Sequence, residues 1–353
     1  MTGEMSAQMT AMIAHGQSLH LPITDASRVA EARRTVGRLA VESHLSETDA
    51  GRAQIVATEL ANNLARHAQE GFLIARLLQE TEGRGVEIAA IDRGPGMDIE
   101  RCLADGYSTG GTPGTGLGAA QRVSDLFDAY SSPAGTVAVA RIMAKAGAAH
   151  DDAAAEARME VGAVCLAKTG EQISGDAWAV APSAGRRTLI IIADGLGHGP
   201  IAAEASAAAL AVFHEQAPSG RGPADILAEI HRRLRSTRGA AVSIAEISPA
   251  LSEIRFAGLG NVAGVVISGA TRRGLVSHNG TAGATSGTPR EMSYPFPSQS
   301  VLVMASDGLA THWDLGRYAG VVTRRPAVIS GLLCRDFSRG RDDLTVVAAR
   351  EAG

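Results

Sequence analysis

The stretch Leu189-Ile-Ile-Ile-Ala-Asp-Gly-Leu-Gly-His-Gly199 decides the reading of the second half of this 353-residue chain. Residues 189–193 are apolar without alternation, the pattern of a strand buried on both faces. The run ends on a carboxylate, Asp194. Glycines at 195, 197 and 199 then free the backbone to turn or to approach a ligand closely. The Ala-rich residues 201–214 read as a helix, with another near 224–235. Strand-like runs stand before them at 161–167, 177–181 and 188–193, and after them at 241–247, 254–257, 262–267, 301–305 and 344–348. The second half is β-rich, with a helix pair inserted between strands.

Four aspartates of this half occupy strand ends or turns: Asp176 in Ser-Gly-Asp-Ala-Trp, Asp194, Asp307 in Ser-Asp-Gly, and Asp342 in Arg-Asp-Asp-Leu-Thr. Singly, each is an ordinary turn or cap residue. As a set they say more. Asp194 and Asp307 each follow a continuous apolar run, so adjacent buried strands bring their carboxylates to the same edge. Clustered carboxylates repel and raise one another's pKa unless a cation neutralises them. No Lys or Arg recurs beside all four, although Arg341 adjoins the last. Hard oxygen donors select Mg²⁺ or Mn²⁺. Two such ions can clamp a phosphoryl group and ionise a bridging water without a protein nucleophile. Zn²⁺ is disfavoured because no His/Cys cluster has ligand spacing. His198, alone in a Gly loop, reads as structural.

In the first half, Val56, Leu60 and Leu64 fall at helical spacing within 52–68. Residues 72–78, 86–91 and 136–142 read as strands and 118–127 as a helix, an α+β arrangement with few strands. Asp92-Arg-Gly94-Pro-Gly96 directly follows the strand at 86–91, and Gly114-Thr-Gly116-Leu-Gly118 opens the later helix. On the earlier helix, Glu59 and Asn63 are four apart and share a face. Glycine amides at a helix start form a nest for phosphates. An Asp after a strand can accept from an adenine amino group. An Asn can ligate phosphate-bridging Mg²⁺, and a nearby carboxylate can take a proton from an attacking hydroxyl. Between the halves, residues 144–157 are Ala-rich and polar with no bulky core residue, and read as a linker.

Composition sets the outer bounds. The chain is 45% hydrophobic and 20% charged, too apolar for disorder and long enough for about two domains. Its formal charge of -4 gives no general attraction to nucleic acid or anionic membrane, and 3% aromatics leave little for base stacking. Cys102, Cys165 and Cys334 are odd in number and lack a CxxC pair, so they read as buried thiols of a reducing compartment. Neither a secretion signal nor a bilayer-length apolar run is recognisable, so a cytoplasmic location is expected.

Two resemblances sharpen this picture. Glu59-Leu-Ala-Asn-Asn63-Leu-Ala-Arg-His67, Asp92-Arg-Gly-Pro-Gly-Met97, Asp105-Gly-Tyr-Ser-Thr109 and the run 114–127 make residues 15–143 resemble the GHKL ATPase superfamily, on its RsbT-like branch of serine/threonine kinases and anti-sigma regulators. That resemblance implies a Bergerat-type α/β sandwich binding ATP and Mg²⁺. It implies Glu59 as general base, Asn63 as Mg²⁺ ligand, and Asp92 reading adenine. Gly94 and Gly96 would shape its pocket, Gly114, Gly116 and Gly118 would hold phosphates, and 104–113 would be a short lid. Asn62 leaves a one-residue ambiguity, but Asn63 keeps the Glu-x-x-x-Asn spacing.

Lys168-Thr-Gly-Glu-Gln-Ile-Ser-Gly-Asp176, Asp194-Gly-Leu-Gly-His-Gly199, Ser306-Asp-Gly308 and Arg341-Asp-Asp-Leu-Thr345 make residues 158–351 resemble the metal-dependent type-2C (PPM) phosphatases, on their RsbX/SpoIIE-like branch. A β-sandwich flanked by helices is implied, with two Mn²⁺ or Mg²⁺ held by Asp176, Asp194, the Gly195 carbonyl, Asp307 and Asp342. Asp343 is the alternative to Asp342. The Gly258-Leu-Gly-Asn261 turn suits the family and carries little weight.

The joint expectation is an α+β chain in which a Ser/Thr kinase module is fused to a phosphoserine/phosphothreonine phosphatase. Its partners would be STAS-domain proteins of a stress or sigma-factor circuit, not nucleic acid or membrane, and a homodimer is left open. Two alternatives stand beside it: a phosphatase whose first half only senses nucleotide, and an anti-sigma-type binding module.

Overall fold

The computed structural model describes residues 16–103, 116–144, 159–284 and 288–352. They fall into two compact units. The first comprises Ser18–His150 and Leu315–Asp336. Its five-stranded antiparallel sheet has the order β1-β2-β3-β5-β4. The strands are β1 (Leu19–Pro22), β2 (Phe72–Leu77), β3 (Gly85–Ile91), β4 (Leu126–Ser132) and β5 (Gly135–Met143). Helices α1 (Ala26–Glu42) and α2 (Glu47–His67) are capped by the Asp25 and Ser46 side chains, which accept from the Ser27 and Asp49 amides. Those caps satisfy amides that the first turn leaves without intrahelical partners. Val29, Ala32, Val36 and Leu39 of α1 and Val56, Leu60 and Leu64 of α2 bury one face of the sheet, against Leu73, Ala75, Ile88, Ala90, Ala138 and Ala140. Short helices α3 (Ile99–Leu103) and α4 (Gly116–Val123) complete this layer.

The sheet has more strands than the sequence reading allowed. The helix expected over 118–127 stops at Val123, and Phe127 lies in β4. Ser124 and Asp125 break it: the Ser124 hydroxyl turns back to the Ala120 carbonyl, and Asp125 accepts from the Met143 amide of the neighbouring strand.

The second unit comprises Met1–Gln17, Asp151–Asp314 and Phe337–Gly353. Two five-stranded antiparallel sheets stack on one another. One has the order β13-β10-β9-β8-β7 and the other β12-β11-β14-β15-β6. The strands are β6 (Met159–Leu166), β7 (Asp176–Ser183), β8 (Arg187–Gly195), β9 (Ala240–Ser248), β10 (Glu253–Leu259), β11 (Ala263–Ser268), β12 (Thr271–Leu275), β13 (Glu291–Pro295), β14 (Val301–Ala305) and β15 (Leu344–Glu351). Alternate residues face the interior: Trp178, Ile190, Ile192 and Phe256 from one sheet meet Val161, Leu302, Met304 and Val347 from the other. The intervening residues Ala177, Ala179, Leu189 and Ile191 pack outward on Leu210, Phe213, Ile226 and Ile230 of helices α5 (Pro200–Gln216) and α6 (Pro223–Arg233). Strands covered on both faces explain why 189–193 shows no polar alternation.

Helix α7 (Pro326–Phe337) had no counterpart in the sequence reading. It lies between β14 and β15 in the chain, inside the span expected for the second domain, yet Leu315–Asp336 packs with the first unit. The physical reason is the second face of the first sheet. Ile74, Ala89, Ile91, Val137 and Val139 point away from α1 and α2 and are nevertheless buried. Gly331 lets α7 approach that face closely: a Cβ there would come within 2.9 Å of Val137. No helix among the described residues is long and apolar enough to cross a membrane.

Candidate active sites

The antiparallel register of β7 and β8 sets Asp176 directly opposite Asp194. Asp176 shares strand parity with Trp178 and Val180, and Asp194 with Ile190 and Ile192, so both stand on the inward face. From the second sheet, Asp307 lies two residues beyond β14, and Asp342 and Asp343 immediately precede β15. The Ser306 amide donates to the Thr345 carbonyl and the Ser306 hydroxyl accepts from the Thr345 amide, which locks those two strand ends together. Carboxylates from both sheets therefore gather at one end of the sandwich, including all four aspartates singled out from sequence.

The electrostatics register the crowding. Burial, and then the charges of Asp176, Asp307, Asp342 and Asp343, push Asp194 up to about 9. Burial pushes Asp176 up to about 7; the Ser306 and Thr345 hydroxyls oppose the rise, and Asp343 and Asp307 add to it. Asp307 is also raised, by burial and by Asp342, against a nearby Arg339. One carboxylate oxygen of Asp176 is buried with no hydrogen-bond partner. A buried carboxylate oxygen without a donor is costly unless something cationic meets it. Oxygen-only donors that raise one another's pKa suit a hard divalent cation. Among the described residues no three His, Cys, Asp or Glu side chains already close on one point.

The structure separates the roles of Asp342 and Asp343. Asp343 accepts from the Lys168 amide at 2.7 Å and the Gly175 amide at 2.8 Å, so both its oxygens clamp the loop before Asp176. Among the described residues, Asp342 accepts only the local Asp343 amide, at 3.0 Å. Gly308 has to be glycine for the same assembly: a Cβ would lie 2.0 Å from the Asp343 carbonyl oxygen. Gly195 ends β8, its amide donating to the Gly175 carbonyl at 3.2 Å.

Two further partners emerge. Asn261 donates to Asp307 at 2.7 Å, fixing its orientation. Its signal was the Gly-Leu-Gly-Asn turn that sequence reasoning set aside. His198 Nδ1 lies 2.7 Å from Glu171 Oε1. The lone histidine of the Gly loop is thus held by a carboxylate 27 residues upstream, a pairing no local pattern announces.

In the first unit, Asp92 is buried at the end of β3, and Oδ1 accepts the Gly94 amide at 2.7 Å. Burial raises its pKa, while the Gly94 and Thr136 backbone and the Arg335 charge oppose the rise. Gly96 has φ +78, and a Cβ there would lie 2.2 Å from the Ser132 carbonyl oxygen, so the Asp92 turn packs tightly on the end of β4. Glu59 and Asn63 are partly exposed on α2. The Glu59 carboxylate points toward the start of α4: its Oε2 is 4.0 Å from the position of a Gly116 Cβ. Gly118 is buried within α4. Gly114 and the lid expected at 104–113 lie outside the described residues, as do residues 145–157 of the linker.

Residues 22–142 match the family described as histidine kinase-like ATPase domain. Residues 184–351 match the family described as stage II sporulation protein E (SpoIIE). The serine/threonine-protein kinase RsbT of Bacillus subtilis (strain 168) is 34% identical over 102 residues, which are 28% of this chain and 77% of the kinase. Among solved structures, one described as the bacterial stressosome, a modular system adapted to control secondary messenger signalling, is 26% identical with a TM-score of 0.51, covering 55% of this chain and 100% of its own. A crystal structure of RsbX in complex with magnesium is 21% identical with a TM-score of 0.49, covering 56% of this chain and 96% of its own.

Proposed function

We infer the function from one premise: this chain belongs to the RsbT serine/threonine kinase family through its first half and carries a SpoIIE-family phosphatase domain in its second. It is a partner-switching regulator in which a kinase-type ATPase module is fused to a PP2C-type Ser/Thr phosphatase. The observation that carries this reading is the meeting of Asp176, Asp194, Asp307 and Asp342 at one end of the sandwich, in a chain that also holds Glu59 and Asp92 on an ATPase-type unit. The substrates fitting both modules are STAS-domain proteins phosphorylated on serine or threonine.

In the phosphatase, Asp176, Asp194, Asp307, Asp342 and the Gly195 carbonyl would hold two Mn²⁺ or Mg²⁺. When bound, such ions neutralise the carboxylates and supply an activated water. Asn261 orients Asp307, and Asp343 fixes the loop that presents Asp176. Glu171 holds His198 in the Gly loop.

In the kinase module, Asp92 keeps one oxygen on the Gly94 amide and offers the other to the adenine amino group. Gly94 and Gly96 shape that pocket. Asn63 would ligate Mg²⁺, and the glycines that would hold the phosphates are Gly114, Gly116 and Gly118. Glu59 takes the proton of the attacking hydroxyl. Glu59 weighs for the kinase over a pure nucleotide binder, although some binders retain such a base.

The direct test pairs two binding-site variants with two readouts. Asp92→Ala is expected to abolish ATP binding and leave Mn²⁺-dependent phosphopeptide hydrolysis. Asp194→Ala is expected to do the reverse. Phosphopeptide hydrolysis that survives Asp194→Ala would exclude the carboxylate site, and undiminished ATP binding by Asp92→Ala would exclude the nucleotide site.

A further inference from the structure

Residues 168–175 lead into Asp176 and form neither helix nor strand. With no ladder to place its backbone, this loop depends on groups from elsewhere for its hydrogen bonds. Asp343 supplies two of them, at the Lys168 and Gly175 amides. The middle of the loop is held by a different part of the chain.

Gln17 belongs to the N-terminal piece that packs with the second unit, and it is 8% exposed. Its side-chain amide makes two bonds to one stretch of the loop. Nε2 donates to the Gln172 carbonyl at 3.0 Å, and Oε1 accepts from the Ser174 amide at 3.2 Å. The hydroxyl of the buried Ser174 then accepts from the Asp176 amide at 3.1 Å. Ser174 thus stands between Gln17 and the Asp176 backbone.

Gln17 is itself fixed in place. The Trp178 indole N–H donates to the Gly16 carbonyl at 2.8 Å. Gly16 has φ +68, and a Cβ there would lie 2.6 Å from Trp178 Nε1, so the backbone rests directly against the indole. The Trp178 ring is buried among the interior side chains of the sandwich, so this anchor is part of the core.

A buried side-chain amide needs partners wherever it sits. Two features of Gln17 go beyond that need. Its amide takes an acceptor and a donor from the same loop, which fixes the loop's direction as well as its position. The loop also ends on Asp176, one of whose buried carboxylate oxygens has no hydrogen-bond partner and is open to a cation.

We propose that Gln17 is a positioning residue of the carboxylate site: it holds the 172–174 backbone so that Asp176 meets the divalent cation in the right place. It touches neither cation nor substrate. The proposal rests on the reading of the carboxylate site given above. Removing a group that orients a metal ligand typically lowers metal affinity roughly 10–100-fold. Gln17 acts through one more residue, so the expected loss is at the lower end, about tenfold.

The test uses the full chain. Gln17→Met keeps the length and bulk of the side chain and removes both bonds. Trp178→Phe keeps a ring in the core and removes the bond to Gly16. Electron paramagnetic resonance of free Mn²⁺ gives metal affinity without turnover, and hydrolysis of p-nitrophenyl phosphate gives the half-saturating Mn²⁺ and the maximal rate. Gln17→Met is expected to weaken Mn²⁺ binding about tenfold and to approach the wild-type rate once Mn²⁺ saturates. Trp178→Phe should shift affinity in the same direction by less. Amide exchange of residues 172–176 in EDTA should quicken in Gln17→Met, a readout that needs no metal. A merely structural Gln17 would lower the melting temperature in EDTA and leave Mn²⁺ affinity alone. That result, or exchange at 172–176 equal to wild type, would overturn the proposal. If Gln17→Met does not fold, Trp178→Phe decides, and wild-type Mn²⁺ affinity there would overturn it. A wild-type protein that binds no Mn²⁺ would overturn the reading of the carboxylate site and the proposal with it.

Discussion

The pair Asp342 and Asp343 shows how far residue type alone carries and where it stops. Two adjacent carboxylates read alike in sequence, and only the backbone around them assigns their work. Asp343 spends both oxygens on the Lys168 and Gly175 amides, whereas among the described residues Asp342 accepts its neighbour's amide alone. Asp343→Asn keeps one acceptor and loses one charge-assisted bond, so unfolding should shift by about 1–3 kcal/mol with metal-dependent hydrolysis reduced but present. Asp342→Asn should unfold almost like wild type and lose hydrolysis; paired thermal melts and Mn²⁺ titrations distinguish the two.

The pH dependence belongs to this scale as well. Asp194 is raised to about 9 by burial and its neighbours, from an unfolded value near about 4. Between those limits the metal-free folded state binds a proton that the unfolded state does not, so stability falls as pH rises. A divalent cation competes with that proton, so its affinity rises over the same window. In EDTA the melting temperature should drop from pH 6 to pH 8. In Mn²⁺ the drop should shrink or reverse. A metal-free protein that gains stability toward pH 8 would contradict the assignment.

Elements were legible where one layer decided them. Residues 189–193 announce a doubly covered strand because no polar residue interrupts them, and 201–214 announce a helix by their alanine content. Helix α1 was equally available in principle: Asp25 caps it, and Val29, Ala32, Val36 and Leu39 form its buried stripe. Phe127 was misplaced because the apolar pattern runs on through Ser124 and Asp125, where the backbone changes from helix to strand. Helix α7 is a different case. Val328, Ile329, Leu332 and Leu333 mark it as buried, but which sheet it covers is not a local property. The approach at Gly331 tests that packing. Gly331→Val would drive side-chain atoms into Val137 and Ile91, 2.9 and 3.4 Å from the Cβ position. Overpacking of this kind costs about 1–3 kcal/mol, measurable as a lower midpoint in denaturant unfolding, whereas Gly340→Val, with open space around the Cβ position and φ +64, should show only backbone strain.

At the scale of the whole molecule, the candidate sites were largely readable because each is a set of short motifs at strand and helix ends: Glu59 with Asn63, Asp92 with its glycines, and the four aspartates. What could not be read were the side chains that orient them from elsewhere in the chain. Asn261 reaches Asp307 across 46 positions, and Arg93 reaches α7 across 242. The central claim is that one chain both adds and removes the same kind of phosphate. It is tested most directly by the steady-state phosphorylation of a STAS-domain substrate held with ATP and Mn²⁺, compared among wild type, Glu59→Ala and Asp194→Ala. The account predicts a level below wild type for Glu59→Ala and above wild type for Asp194→Ala. One common level in all three proteins would contradict it.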